Sequence, residues 1–395
     1  MISWNLWPAA LINGLQERRR NFTEVANMLQ ARGLSIDQLT EALVENWKTS
    51  DGELKTKTAE KSIIRALRDP ILQTSILLGL EMDQKAEKGE LSDVVRQIVA
   101  KDDPLCNIDE LLAKAALEQK GRDAIDRFHE LDILKRNSLL RNLDSKSGNR
   151  VNMFADDLVA AVLVMAEMDL IKRKKLDPSK RPQETNQEIQ QSKEKRNRKD
   201  HVDTKKLRDQ ALRCLKKYGI TIKKIAEAAY KRQKKFNPKL TRAEAIEATK
   251  SLFEISDKGN PPARELFYAI LLLTEIDQLI KHNRFSKSLM RRFEKDPKNA
   301  YSPLLYITDQ SALMGDIARG HLGLSRQSQK SVLIPQNIAN LLIGNAAHMI
   351  ADQQRKKTEK NKRGKVQRIL ESVSKKGREF FGSISRNRRP NQIVR

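Results

Sequence analysis

Residues 76–84 read ILLGLEMDQ, and residues 270–278 read ILLLTEIDQ. Six of the nine positions are identical, and both stretches put a Glu-x-Asp-Gln ending after an Ile-Leu-Leu run. Each predicts an apolar helix that turns polar at its C-terminal end. One matching nonapeptide carries little weight, because apolar helices look alike. A second match gives it weight. Residues 29–43, LQARGLSIDQLTEAL, align with residues 215–229, LKKYGITIKKIAEAA. Leu29/Leu215, Gly33/Gly219, Ile36/Ile222, Glu41/Glu227 and Ala42/Ala228 are identical.

The two matches occur in the same order, at offsets of 186 and then 194. The second copy therefore gains eight residues between them. Residues 256–262, SDKGNPP, have the loop chemistry that accepts such an insertion. Beyond the apolar helix, Ser92 pairs with Ser286 and Lys101-Asp102 with Lys295-Asp296. Each copy closes with a long apolar helix and a basic run, at 172–175 and 355–357. The expected fold is all-α: two tandem duplicated helical domains, too long and too few for a solenoid of small repeats. The expected boundaries are 1–171 for the first domain, 172–206 for a basic linker, 207–354 for the second domain and 355–395 for a basic tail.

Composition agrees with a helical class. Aromatics make up 5% of the chain and there are 16 Gly and 12 Pro in 395 residues, so Leu, Ala, Lys, Glu and similar helix formers dominate. Cys106 and Cys214 are the only cysteines, far from any metal-ligand spacing, which points to a reducing, cytoplasmic-type compartment. The five histidines are scattered. No Gly-rich phosphate loop, nucleophile elbow or metal-ligand spacing is present, so no cofactor, metal or catalytic residue is expected, although a helical enzyme without a linear motif stays open. The start lacks a basic region before its apolar stretch and does not read as a secretory signal. No apolar run is long enough to span a membrane.

The net charge of +25 conceals an asymmetry. Residues 1–171 carry 23 Lys/Arg against 28 Asp/Glu, whereas residues 172–395 carry 53 against 23. The first copy is mildly acidic and its sister strongly basic.

Along the chain, Trp4, Trp7, Leu11 and Leu15 form a short helical stripe ahead of Arg18-Arg19-Arg20, which either docks on the first domain or lies on a membrane surface. A helix to about Arg20 is expected, then a second over 21–32 stopped by Gly33. Ser35 and Gln38 form a capping box for the next helix. Asp69-Pro70 opens the apolar helix of the first copy. Glu81 and Asp83, like Glu275 and Asp277, are expected at a solvated or salt-bridged helix end, since residues two apart do not share a helical face.

The helix–Gly–helix unit at 29–43 has the outline of a helix-turn-helix. Its second helix carries Asp37, Glu41 and Glu45 in the first copy but Lys223, Glu227 and Lys231 in the second. Only the second copy would face a polyanion. Lys216, Lys217, Lys223, Lys224, Lys231, Arg232, Lys234, Lys235 and Lys239 are the candidate contacts. A helical hairpin with a solvated basic face is the plainer alternative. In the tail, Val366, Ile369, Leu370, Val373 and Phe380 fall on a helical stripe opposed by Lys365, Arg368, Lys375, Lys376 and Arg378.

Two functions follow. In the first, the protein is a non-catalytic binding protein whose second domain, linker and tail hold RNA or DNA by the backbone, while residues 1–171 hold a protein partner. If six to ten cations meet phosphates, affinity falls by about 10³–10⁵ between 50 and 200 mM salt. The scarcity of aromatics argues against reading bases by stacking. In the second, it is a peripheral membrane adaptor or secreted scaffold that sets Trp4, Trp7, Phe380 and Phe381 on anionic lipid or a partner protein.

Overall fold

The computed structural model describes residues 7–47, 54–101, 108–135, 137–144, 150–174, 203–254, 261–310, 338–339, 342–360 and 362. Among them all regular structure is helical, so the protein is all-α as expected. The helices are α1 (Trp7–Ala31), α2 (Ile36–Trp47), α3 (Thr56–Ala66), α4 (Pro70–Glu87), α5 (Asp93–Lys101), α6 (Ile108–Leu117), α7 (Arg122–Leu134), α8 (Ser138–Asp144) and α9 (Ala155–Lys174). They continue with α10 (Thr204–Lys217), α11 (Ile222–Lys234), α12 (Arg242–Ser251), α13 (Pro261–Lys281), α14 (Lys287–Lys295) and α15 (Pro297–Gln310), and with α16 over residues 342–360. No helix among the described residues is long and apolar enough to cross a membrane.

The chain forms two compact units that do not follow chain order. Unit 1 takes Met1–Thr221 and Phe253–Gly344; unit 2 takes Ile222–Leu252 and Asn345–Arg395. Unit 1 thus draws helices from both stretches expected to be domains. Residues 175–202, most of the expected linker, and 363–395, most of the tail, lie outside the described residues.

In unit 1, α4 is the buried axis. Asp69 caps it, its carboxylate accepting the N–H groups of Ile71 and Leu72 at 3.1 Å, and Pro70 occupies the first turn where its missing N–H is no loss. Its residues from Ile71 to Asp83 are buried. Gly79 lets α9 pass close: a Cβ there would meet Leu158 Cδ1 at 2.6 Å and Phe154 Cβ at 2.8 Å. Helices α2 and α3 pack with α9, as do α6 and α7, while α1, α5 and α6 pack on α4. The helix start at Ser35 is a capping box as expected, with Ser35 N–H to Gln38 Oε1 at 2.8 Å and Gln38 N–H to Ser35 Oγ at 3.1 Å.

Two expectations change. The break near Arg20 is absent: α1 runs unbroken to Ala31, and residues 15–32 contain neither Gly nor Pro to interrupt it. Glu81 and Asp83 are not at a solvated end but are 5% and 0% exposed. Each is buried because a helix start from elsewhere brings N–H donors to it. Asp83 accepts from Phe154 N–H at 3.3 Å, just before α9, and Glu81 accepts from Ser286 N–H at 2.8 Å, just before α14.

Matched positions share backbone geometry. Gly33 and Gly219 both have positive φ, 77° and 69°, and each is followed by a hydrogen bond five residues back, Leu34 N–H to Leu29 O at 3.0 Å and Ile220 N–H to Leu215 O at 2.9 Å. Gly89 and Asn283 repeat this, with φ of 69° and 51° and bonds of 2.8 Å from Glu90 to Lys85 O and from Arg284 to Leu279 O. These are left-handed helix C-caps, a conformation that favours Gly and tolerates Asn.

In unit 2, α11 and α12 pack as a hairpin through Ile225, Ala226 and Ala229 against Ala245, Ala248 and Thr249. Thr241 and Glu244 form a capping box at the start of α12. Lys357 of α16 pairs with Glu244 at 2.6 Å.

Candidate nucleic-acid interface

Helix α11 has one apolar face, and its cations line the others. Lys223, Lys224, Lys231 and Arg232 are exposed, as are Lys235 and Lys239 in the turn that follows. Lys234 is half-buried: its ammonium donates to Leu240 O at 2.7 Å and lies 5.5 Å from the Tyr230 ring centre. It therefore holds the turn in place rather than facing solvent. Lys216 and Lys217 are also exposed, but they end α10 in unit 1, whereas the other seven belong to unit 2. Over its whole length unit 2 carries 24 Lys/Arg against seven Asp/Glu.

The turn between α11 and α12 presents Phe236, 82% exposed and the one large apolar side chain left open among the described residues. This exposure is built by a pinned turn. Phe236 N–H and Asn237 N–H both donate to Gln233 O at 2.9 Å. Asn237 Oδ1 accepts from Lys239 N–H at 3.2 Å, and Leu240 is buried. Arg242 reaches back to Glu227 at 3.1 Å and stands 5.3 Å from the Tyr230 ring centre. Burying a Phe side chain is worth about 1.5–3 kcal/mol, which this turn forgoes. The ring is flanked in sequence by Lys234-Lys235 and Lys239.

The remaining candidates are placed as follows. Trp4, Lys365, Arg368, Lys375, Lys376, Arg378, Phe380 and Phe381 lie outside the described residues, and Trp7 opens α1.

Unit 1 contains a second concentration of charge. Asp132, Asp156 and Asp157 are all buried and offer oxygens within 4.8 Å of one another, so these are the residues that could hold a metal ion. The Lys135 ammonium already stands among them, paired with Asp156 and 3.8 Å from Asp132. Asp156 and Asp157 lie in the first turn of α9, where the helix dipole favours negative charge. Burial pushes the neighbouring Asp83 carboxyl well above the usual carboxylate range. Arg32 offsets part of that push, and itself pairs with Glu87 at 2.6 Å. The arrangement is an acidic network with its own internal cation.

No protein-family model matches the chain. It is 26% identical to the uncharacterized protein YutG of Bacillus subtilis (strain 168) over 145 residues, which is 37% of this chain and 87% of YutG. It is 26% identical to the uncharacterized protein YpjQ of the same organism over 140 residues, 35% of this chain and 78% of YpjQ. Among solved structures, YpjQ, a DUF64 protein, aligns at 23% identity over 40% of this chain and 97% of its own, with a TM-score of 0.38. The low temperature requirement C protein of Listeria monocytogenes aligns at 26% identity over 39% of this chain and 97% of its own, also with a TM-score of 0.38.

Two features escape the sequence. Phe236 is one apolar residue among lysines, with no periodicity to mark it as exposed rather than packed. Asp132 and Asp156–Asp157 belong to different helices, α7 and α9, and only their packing makes them neighbours.

Proposed function

We propose that the protein binds single-stranded nucleic acid through the α11–α12 hairpin of unit 2. The observation that supports this most directly is Phe236, held open by a pinned turn within a cationic surface. Lysines on α11 and in the turn neutralise phosphates, and the ring stacks on one base. Stacking on an aromatic is worth about 1–3 kcal/mol per base and tolerates any sequence. A lipid surface fits the hairpin less well, because one ring without a second exposed apolar side chain gives little to insert.

The test is fluorescence anisotropy of the full chain with labelled single-stranded RNA and duplex DNA across a salt series. Phe236→Ala is expected to weaken RNA binding by about 5- to 150-fold while leaving duplex binding in place. Lys231→Gln with Lys235→Gln is expected to reduce the log–log salt slope on single strands by about 1.4. Binding that is absent at low salt, or indifferent to all three substitutions, sinks the proposal. Binding to anionic vesicles but not to RNA transfers the surface to lipid.

A further inference from the structure

A cleft of about 1050 Å³ opens in unit 1 beside α1, the start of α4, and α14. Five of its lining side chains are cations, Arg19, Arg68, Arg291, Arg292 and Lys295, against the carboxylates of Glu17 and Asp296. Phe22 and Pro70 give it an apolar wall. Arg291 is committed to Glu24 in an ion pair. Arg292 is not committed. It is 6% exposed, its Nη2 donates to Gln73 Oε1 at 3.0 Å, and its buried Nε has no partner. Among the described residues no carboxylate lies within ion-pair distance of it; Glu24, Asp296 and Glu17 act only from further away.

A buried guanidinium with most of its donors idle is costly, because the charge has left water without gaining a counter-charge. We infer that the cleft is an anion site built on Arg292, fitted to a phosphorylated small molecule whose organic part lies on the Phe22–Pro70 wall. The planar fork of Arg292 matches a phosphoryl group in two-point contact. The surplus of cations over carboxylates suits an anion of more than one charge, and the volume is far greater than one phosphate needs. At the matched position of the first copy the residue is Ile98, equally buried and among Val95, Tyr268 and Leu272. Among the described residues the matched position thus offers no second such arginine.

Calorimetric titration of the full chain with inorganic phosphate, pyrophosphate and phenyl phosphate tests it. Millimolar or tighter binding is expected, strongest for phenyl phosphate if the apolar wall is used. Arg292→Gln is expected to weaken it by about 10- to 100-fold, the worth of charged hydrogen bonds. Lys295→Gln, an exposed change that leaves the fold intact, weakens it to a lesser degree. Lys231→Gln with Lys235→Gln, on unit 2, leaves it unchanged, which separates this site from the nucleic-acid surface. No binding at millimolar ligand, or binding unmoved by both Arg292→Gln and Lys295→Gln, overturns the inference.

We also infer, from a separate set of contacts, that the two copies are packed within the chain as a two-fold pair. In a two-fold interface residue i of one copy meets j of the other, and j meets i. Glu81 accepts from Ser286 N–H at 2.8 Å, and its match Glu275 accepts from Ser92 N–H, the match of Ser286, at 3.1 Å. Arg284 donates to the carbonyl of Glu90, its own match, at 3.1 Å, as happens on the axis itself. Whole helices obey the same rule within unit 1: α4 packs with α14 and α13 with α5, α4 with α15 and α13 with α6, and α6 with its match α15. The α4–α5–α6 face is thus an interaction surface whose partner is a second copy of the same fold. On this inference the partner expected for residues 1–171 is met inside the chain. The matches to YutG and YpjQ fit, since most of each relative aligns with less than half of this chain.

Electron paramagnetic resonance distances test the two-fold directly. Spin labels are placed on the full chain, with Cys106 and Cys214 replaced by serine, at residues 30 and 284 in one sample and 216 and 90 in the other. All four positions are exposed, so the fold should tolerate the labels. Superimposable distance distributions are expected. Clearly different maxima for the two pairs overturn the two-fold arrangement.

Discussion

Residues 98 and 292 hold matched places on α5 and α14, both are 6% exposed, and one is an isoleucine while the other is an arginine. Ile98 sits among apolar side chains and needs nothing more. Arg292 has one hydrogen bond, to Gln73, and an orphaned Nε. Ile98 thus lies in a packed apolar interior, and Arg292 lines a cationic cleft. The difference teaches that equal burial satisfies an isoleucine but leaves an arginine with an unpartnered donor.

The two apolar helices differ in a parallel way. Position 79 of α4 is Gly, and its match on α13 is the buried Leu273. Gly79→Leu would make the two helices alike, and it is expected to cause the largest loss. Even its first carbon would fall 2.6 and 2.8 Å from α9, so a destabilisation above about 3 kcal/mol is expected by denaturant titration. A well-folded Gly79→Leu protein would mean that α9 does not lie against α4 as described.

Next in size is the exchange of the paired buried residues. Ile98→Arg places an unpaired charge in an apolar shell, and a loss of about 3 kcal/mol is expected. Arg292→Ile removes one, so the chain should be as stable as before or about 1–2 kcal/mol more stable while losing anion binding. Equal losses from both substitutions would erase the distinction between the two sides.

The capping carboxylates give a smaller contrast. Glu81 is buried and its partner Glu275 half-buried, and burial raises the pKa of Glu81 against the pull of its Ser286 hydrogen bonds. Glu81→Gln is expected to cost about 1–3 kcal/mol and Glu275→Gln less than about 1 kcal/mol, read from denaturation midpoints. The reverse order would break the assignment of the deeper cap to Glu81.

The smallest effect lies in unit 2. Lys357, first among several hydrogen bonds, lowers the Glu244 pKa from 4.5 to about 2. A depressed folded-state pKa contributes stability above pH 4.5 that is lost as pH falls toward about 2. The protection factors of amides in the first turn of α12, taken relative to intrinsic exchange at each pH, should therefore fall over that window, and Lys357→Met should remove most of this pH dependence. The contribution is modest because the pair is partly exposed.

Much of this was legible in the residues. The all-α class follows from composition and from apolar runs at helical spacing. The stop at Gly33, the capping box at Ser35 and the Asp69-Pro70 start are local chemistry, and the structure shows each of them. The exposed lysines of α11 were likewise legible, because the apolar face of that helix is set by Ile225 and Ala229. Phe236 was not, since exposure depends on what the turn fails to meet.

The sequence by itself determined the all-α class, the helix ends marked by Gly33, Ser35 and Asp69-Pro70, and that one half of the chain is acidic and the other basic. These are consequences of backbone propensity, caps and summed charge, all of which act over a few residues or need no geometry. Only the tertiary structure decided that Glu81 and Asp83 are buried, that Asp132 meets Asp156, and that Arg292 faces a cleft. Each of those depends on a helix arriving from a distant part of the chain, bringing N–H donors, carboxylates or empty space to a side chain that its neighbours in sequence could not supply.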